Sequence, residues 1–410
     1  MTREDSAGVS SARRFALHGD VLVGESLDRM GDGWVVIEGD VVAGILPGAH
    51  PIAVEERYDY TGHTILPGLI DTHCHLSLPG DGRDVEGYLR DCGCDLQLAV
   101  AARNAESALY GGVTTVRDLG APEGVTFRLR EAVARGLFRA PRLVLAGSVL
   151  TETGGHGHAF GIEVDSRLEI RKAVRRLRRD GADVIKVMAS GGSTPGTARW
   201  RAAFEPRLLE FLVDEAHSRG LPVTAHATCP QAIENALRAG VEGLEHANFW
   251  IDEALHSDFR SDLVEEMVAR SVFVAPTLQT SYRVLHTPRL LDPCERERRQ
   301  RILDDACGTF TRMLEYGIPF VAGSDAGFLV TRFDELSLGL QLMVDCGMTP
   351  LEAIHSATTR AARAVGLTGV VGAVSPGYQA DLVVVDGDPL SDIGALSRVR
   401  AVFQAGERIR

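Results

Sequence analysis

The stretch Leu66-Pro-Gly-Leu-Ile-Asp-Thr-His73-Cys-His75 places an apolar run directly before two histidines that are two residues apart. In an extended strand, side chains two positions apart point to the same side, so both imidazoles can reach one metal ion. Two polar residues at the junction of a strand and a loop give the same pattern. The other strand ends of the chain decide between these interpretations.

Short apolar runs alternate with helical patterns of ten or more residues through the middle of the chain, which predicts repeated βα units with a parallel sheet. The strand candidates are 65–72, 114–117, 142–146, 184–187, 222–225, 243–245, 272–275 and 320–323. The helix candidates include 89–110, 168–179, 208–219, 231–239 and 262–270. Eight βα units predict an α/β fold of the (β/α)8 TIM-barrel type.

Both ends of the chain have β-type patterns instead. These runs are 21–23, 33–38 and 41–46 before the barrel, and 380–386 and 399–405 after it. Neither flank has enough apolar surface for a core of its own, so we expect the two to pair into one small β-sandwich. The predicted domains are therefore a β-sandwich from residues 1–62 and 368–410, and a barrel from residues 63–367.

Composition limits the possible partners of the protein. The 410 residues include 43 Lys and Arg against 56 Asp and Glu, a formal net charge of −13. Nucleic acids and anionic membranes need clustered positive charge, so we expect a small-molecule partner and neither of these. Seven cysteines in a long chain without an export signal or membrane span predict a cytoplasmic protein with reduced thiols. A homo-oligomer stays an open alternative.

Polar residues end several of the predicted barrel strands. Beyond the two histidines of the first strand, they are Lys186, His226, His246 and Asp325. A single histidine here would more often be a hydrogen-bonded core residue, but an unpaired Lys186 inside an apolar strand is costly. Because the carboxyl ends of barrel strands converge on one mouth, the full set predicts a metal site there.

These residues also resemble a known family. The segment from Pro67 to His75, the strand-four lysine, and the pairs Glu245-His246 and Ser324-Asp325 are similar to the metal-binding series of the amidohydrolase superfamily. The tail segments 347–354, 357–366 and 377–390 follow the ending of that superfamily. Residues 184–192 and 154–157 resemble its branch of zinc-dependent dipeptidases, prolidase-like and arginine carboxypeptidase-like, which includes ochratoxin-type amide hydrolases.

The resemblance implies two divalent metal ions, with zinc favoured by the histidine-rich ligands. The implied ligands are His73, His75 and Asp325 for the more buried ion, and His226 and His246 for the more exposed ion. Lys186, carbamylated by carbon dioxide, would bridge both ions. A carbamate is physically suitable, because it turns a buried cation into an anionic oxygen ligand.

The resemblance also implies roles near the substrate. Asp325 would accept a proton from the attacking water and pass it to the leaving nitrogen. His156, in a glycine-rich loop after the third strand, would lie near the substrate carbonyl or carboxylate. Further candidate substrate contacts are His158, Thr228, Arg199 and Arg201, although exposed arginines are common. Prolidase-like dipeptidases often carry Tyr where this chain has Thr228, which leaves the peptide specificity open.

The predicted function is that of a binuclear metal-dependent hydrolase that cleaves the amide bond of a dipeptide or N-acyl amino acid. One alternative is a hydrolase of small xenobiotic amides, carbamates or ureas, including ochratoxin-type amides. A second is a mononuclear deaminase or cyclic-amide hydrolase, against which Lys186 argues. A non-catalytic scaffold should have lost ligands, and none is missing. The arginine-rich segment 278–301 is interpreted either as a solvated helix face or as a substrate lid.

Overall fold

The computed structural model describes residues 13–50, 52–287 and 291–410. Its strands are β1 (Arg14–Val23), β2 (Asp28–Glu38), β3 (Val41–Pro47), β4 (Glu56–Pro67), β5 (Leu69–Cys74), β6 (Val113–Asp118), β7 (Arg142–Leu145), β8 (Val149–Thr151), β9 (Gly161–Glu163), β10 (Ile185–Met188), β11 (Val223–Ala227), β12 (Gly243–His246), β13 (Phe273–Ala275), β14 (Leu382–Asp386), β15 (Val399–Gln404) and β16 (Glu407–Arg408). Its α-helices are α1 (Val85–Asp91), α2 (Cys94–Tyr110), α3 (Val125–Ala134), α4 (Arg167–Asp180), α5 (Pro206–His217), α6 (Pro230–Ala239), α7 (Ser261–Ala269), α8 (Leu278–Leu285), α9 (Pro293–Glu315), α10 (Leu336–Asp345), α11 (Pro350–Ser356) and α12 (Thr359–Ala364).

The middle strands form a parallel barrel. One sheet has the order β5-β6-β7 and the other β13-β12-β11-β10-β8-β9. The third barrel segment is split, since β7 pairs with β6 whereas β8 pairs with β10. The eighth segment closes the ring, because Phe320 bridges to Val274 of β13 and Ala326 bridges to Cys74 of β5. The predicted TIM barrel is confirmed.

The two ends of the chain share one seven-stranded sheet, with the order β16-β15-β14-β4-β1-β2-β3. The rings of Phe15 on β1 and Phe403 on β15 are 5.9 Å apart, although three strand spacings, about 14 Å in a flat sheet, separate their strands. The Val42 amide also donates to the Tyr378 carbonyl, which joins β3 to the segment before β14. The sheet therefore curls around a shared core, and the predicted β-sandwich is confirmed.

The domain boundaries at 62/63 and 367/368 stay predictions. Strand β4 runs across the first of them, and its last residue, Pro67, pairs with Leu382 of β14. Strand β5 begins two residues later and belongs to the barrel. The chain thus passes from the β-sandwich to the metal-binding strand without an intervening loop of its own.

Helix α4 illustrates why the outer helices form where they do. The side chain of Ser166 caps its first turn by accepting from the Glu169 amide, and Gly181 ends it with a φ of 102°. Its buried residues recur at helical spacing, and they are Ile170, Ala173, Val174 and Leu177. Within the described residues, no helix combines the length and hydropathy that a membrane span requires.

The prediction of one helix over 89–110 is wrong, because the structure has two helices there. Cys92, which caps the end of helix α1, is extended with φ −104° and ψ 117°. Gly93 is the N-cap residue of α2. The segment 278–301 also differs from a simple loop. It contains α8 and the first residues of α9, and both helices contribute to one wall of the barrel mouth.

Candidate metal centre

The carboxyl ends of the barrel strands surround a cleft of about 890 Å³. Its lining includes all six predicted metal ligands, which are His73, His75, Lys186, His226, His246 and Asp325. They come from β5, β10, β11, β12 and the eighth barrel segment. The structure therefore brings together residues that lie up to 252 positions apart in the sequence.

The backbone is strained at the mouth of the barrel. His246, Thr277 and Asp325 have positive φ values of 73°, 48° and 56°. Each of these residues follows or ends a barrel strand, and side chains other than glycine pay about 1–3 kcal/mol for this conformation. Strain of this kind persists where surrounding contacts hold a side chain in a required direction.

His73, His75 and Asp325 form the first ligand group. Asp325 Oδ1 lies 3.5 Å from His73 Nε2 and 3.2 Å from His75 Nε2. One ligand atom from each residue falls within 4.8 Å of the others, and all three residues are buried. Burial raises the pKa of Asp325, but the neighbouring histidines outweigh it and hold that pKa below its usual value. The carboxylate is thus ready to bind a cation.

Glu245 orients His73 of the first ligand group. Its carboxylate contacts His73 Nδ1 at 2.8 Å and accepts from Arg117 Nη2 at 3.1 Å and from Thr224 Oγ1 at 2.5 Å. Burial alone would raise the pKa of Glu245, but its interactions with His73, Lys186 and Arg117 hold it well below its usual value. The carboxylate therefore keeps the proton of His73 on Nδ1 and leaves Nε2 free for a metal.

Asp71 joins the first and last barrel strands. Its carboxylate accepts from the hydroxyl of Ser324, from the Ser324 amide at 3.0 Å and from the His73 amide at 3.1 Å. Burial raises the pKa of Asp71 to about 6. On the other side, His75 Nδ1 lies 3.3 Å from the Gly120 carbonyl, to which it donates, so that its Nε2 faces Asp325.

His226 and His246 are the second predicted ligand group, and their ring centroids are 4.6 Å apart. The His246 ring is also 5.3 Å from that of His73, so the two groups adjoin. His246 Nδ1 contacts Thr277 Oγ1 at 2.7 Å, and His226 Nε2 lies 3.2 Å from the Gly191 carbonyl. Burial lowers the pKa of His226 well below its usual value and that of His246 to about 3. Both imidazoles are neutral, as metal binding requires.

Lys186 is a buried cation of the cleft. It is 1% exposed, and its Nζ has no hydrogen-bond partner among the residues that the structure describes. Burial lowers the pKa of Lys186 to about 8. An unpaired ammonium in this position is expensive, so the site is unstable as long as the amine stays unmodified and unliganded.

The predicted substrate contacts divide into two sets. His156, Thr228 and Arg199 line the cleft, whereas Arg201 is exposed and His158 lies outside the lining. The His156 ring is 4.6 Å from that of His226, and its Nδ1 contacts Thr194 Oγ1 at 2.9 Å. Burial lowers the pKa of His156 to about 3, so this imidazole is neutral at physiological pH.

Sequence reasoning assigned no role to several residues that hold the ligands in place. They are Asp71, Arg117, Thr224, Glu245, Thr277 and Ser324. Asp71 and Arg117 carried a signal, because a charged residue inside an apolar strand run requires a buried partner. The partners themselves lie far away in the sequence. Their identity therefore needed the tertiary structure.

The chain is similar to known proteins along most of its length. Residues 64–409 match the model of the Amidohydrolase family. Ochratoxinase of Aspergillus niger is 29% identical over 383 residues, which cover 82% of this chain and 73% of that protein. A Xaa-Pro dipeptidase with bound methionine superposes with a TM-score of 0.84 at 25% identity, over 96% of this chain and 99% of the dipeptidase. A prolidase complexed with N-methylphosphonate-L-proline gives 0.84 at 29% identity, over 97% and 99% of the two chains.

The family match covers the barrel and all three C-terminal strands. The predicted resemblance to amidohydrolases with prolidase-like and ochratoxinase relatives is confirmed. The histidine and aspartate ligands meet the metal requirement of such enzymes, which act on small molecules. The protein is a hydrolase acting on C–N bonds, and its chain belongs to the amidohydrolase family.

Proposed function

We propose that the protein is a binuclear zinc-dependent hydrolase that cleaves the amide bond of a dipeptide or an N-acyl amino acid. The observation that carries this proposal is the buried, unpaired amine of Lys186 in a cleft that also contains both ligand groups. A single ion held by the first ligand group would leave this amine without a function. A bridging ligand between two ions explains it.

Carbamylation suits the surroundings of Lys186. The lowered pKa increases the neutral fraction of the amine, which is the form that attacks the carbon of carbon dioxide and then loses a proton. The product would be an anion whose two carbamate oxygens could hold divalent ions. Together with Asp325 it supplies negative charge to a site whose other four ligands are histidines, a donor set that fits zinc.

The residues of the cleft then divide the catalytic work. Bound divalent ions lower the pKa of water and polarise a carbonyl group. Asp325 accepts the proton as water attacks and delivers it to the leaving nitrogen. Neutral His156, held through its Nδ1 contact with Thr194, lies beside the second ligand group and orients the substrate carbonyl.

The dipeptide class is supported by similarity to a Xaa-Pro dipeptidase and a prolidase. The second candidate is a hydrolase of small xenobiotic amides, which the 29% identity to Aspergillus niger ochratoxinase supports. The two differ in whether free amino acids are released from ordinary dipeptides.

The first test combines metal analysis with a substrate library. We expect about two zinc equivalents per chain and release of an amino acid from dipeptides or N-acyl amino acids. One equivalent together with an unmodified Lys186 would overturn the binuclear model. Activity on ochratoxin-type amides alone would favour the second candidate.

The lysine content of the chain makes the carbamate easy to assign. Only two lysines are present, Lys172 on the exposed face of α4 and Lys186 in the cleft. With ¹³C-labelled carbon dioxide, a carbamate signal should persist in Lys172→Met and disappear in Lys186→Met. A signal that is unchanged in Lys186→Met would show that the amine is not the labelled group.

A further inference from the structure

Arg199 lines the cleft, and within the described residues no carboxylate or other hydrogen-bond acceptor contacts its side chain. Its guanidinium lies 5.7 Å from the centroid of the Trp250 ring, which supports it by a cation–π contact. Among the residues that the structure describes, the Arg199 side chain has no ion pair and no hydrogen bond, although it is largely shielded from solvent. A shielded guanidinium without an acceptor favours binding of an anion from outside the protein.

A second arginine reaches the same cleft from helix α9. Arg299 Nε donates to Glu295 Oε1 at 2.6 Å, and Arg298 Nη1 approaches the same oxygen at 3.4 Å. One carboxylate therefore serves two guanidinium groups, and Arg199 adds a third positive charge. Burial and then the charges of Arg299 and Arg298 lower the pKa of Arg199 to about 10, so it remains protonated. This wall is cationic although the chain as a whole carries −13.

Thr228 connects the backbone of Arg199 to the chain segment that carries His226. Thr228 Oγ1 donates to the Arg199 carbonyl at 2.6 Å, and Thr228 lies two residues after His226 on the same chain segment. Ser190 Oγ lies 2.8 Å from Thr228 Oγ1 and accepts from the Thr228 amide. The loop that carries Arg199 is thereby held at a fixed distance from the second ligand group.

We propose that Arg199, assisted by Arg299, binds the carboxylate of the amino acid on the leaving side of the scissile amide, and that Thr228 is its positioning residue. The inference rests on the proposed function and narrows its substrate class. Dipeptides and N-acyl amino acids have this one carboxylate in common. It lies two bonds from the scissile nitrogen, so a rigid arginine beside the metal ligands can use it to orient the amide.

The kinetic test uses an N-acyl amino acid and its neutral carboxamide. Arg199→Met should lower kcat/KM for the carboxylate substrate about 10- to 100-fold, mainly through KM, because a charge-assisted hydrogen bond is lost. The carboxamide should change little, and Arg299→Met should show the same pattern more weakly. Arg301→Met, an exposed arginine of the same helix, is the matched control and should leave both substrates unchanged. Equal losses for both substrates would overturn the proposal.

Thr228 has its own control. Thr228→Val should raise KM for the carboxylate substrate and not for the carboxamide, whereas Thr228→Ser, which keeps the hydroxyl donor, should restore the original KM. If Thr228→Val lowers kcat equally for both substrates, Thr228 acts on the metal centre instead of on Arg199. That result would remove its positioning role.

A binding measurement separates this inference from the proposed function. Calorimetry on zinc-loaded Asp325→Asn protein would compare an N-acyl amino acid, its carboxamide, and an N-succinyl amine whose carboxylate is on the acyl side. We expect the first to bind best, and Arg199→Met to remove that preference. Preference for the succinyl compound would overturn the assignment to the leaving side. If wild-type protein cleaves no library member, the same titrations on wild type still test the arginine, while the proposed function fails.

Discussion

The two sides of the metal centre differ in how completely the protein holds them. On the first side, His73 and Asp325 are fixed by partners before any metal is considered, through Glu245 and through the approach of His75. On the second side, Lys186 Nζ has no partner within the described residues, and His226 contacts a backbone carbonyl. Protein contacts orient His73 and Asp325 on the first side, whereas the amine of Lys186 on the second side has no such contact in the described chain.

This difference has a physical reason. On the first side, Glu245 of β12 holds His73 in a buried hydrogen-bond network that includes Arg117, and such networks set the direction and protonation of metal ligands. Lys186 comes from a strand whose neighbours present Thr224 and His226 rather than a carboxylate in contact with Nζ. Under the proposed function, modification of the amine and bound metal supply the charge compensation there.

The largest effect on turnover is expected at Asp325. This residue belongs to the first side and is the proposed proton acceptor of the reaction. Asp325→Asn keeps the size of the side chain and removes the proton acceptor, so kcat should fall about 10²- to 10⁴-fold. The measurement is steady-state turnover on metal-replete protein, with circular dichroism to show that the fold is kept. Activity within a few-fold of wild type would show that another group accepts the proton.

Breaking the support of the first side should weaken metal binding. Glu245→Gln removes the charge that orients His73. The zinc affinity of the site formed by His73, His75 and Asp325 should fall about 10- to 100-fold. Competition with a chromogenic chelator measures both zinc affinities. The exposed Glu253→Gln is the control. Loss of zinc affinity confined to the site of His226 and His246 would show that Glu245 does not support the first side.

The second side should respond differently to loss of its central residue. Lys186→Met should reduce bound zinc from about two equivalents to about one. It should also keep or raise the stability of the metal-free protein by about 1–3 kcal/mol, because it removes an unsatisfied buried amine. Metal analysis and thermal unfolding after chelation provide these data, with Lys172→Met as the surface control. A strongly destabilised metal-free variant would mean that Lys186 has a structural partner.

The smallest effect is expected at the link between the first and eighth strands. Ser324→Ala removes the hydroxyl donor to Asp71 but leaves the two backbone donors in place. Stability should fall by about 1 kcal/mol, with little change in zinc content. Denaturant unfolding measures it. A loss of zinc as large as that in Glu245→Gln would show that Asp71 supports the metal more directly.

Much of the site was predictable because it depends on local rules. Period-two spacing puts His73 and His75 on one side of a strand, and parallel strands bring their polar ends to one mouth. The helix over 89–110 was not predictable as two helices, because Cys92 and Gly93 interrupt an otherwise continuous pattern through their backbone conformation. The division of the third barrel strand between β7 and β8 also depends on pairing with its neighbours.

The amino-acid sequence by itself determined the barrel, the β-sandwich and the set of residues that line the mouth, since periodicity and strand-end position are local properties. Only the tertiary structure decided which of those residues have partners. The contact of His73 with Glu245 joins positions 172 apart, and that of Arg117 with Glu245 joins positions 128 apart. It also left the Lys186 amine without a hydrogen-bond partner, and the Arg199 guanidinium without a carboxylate partner, among the described residues. Burial makes those two cations costly, which is the physical reason for the roles that we propose for them toward metal and substrate.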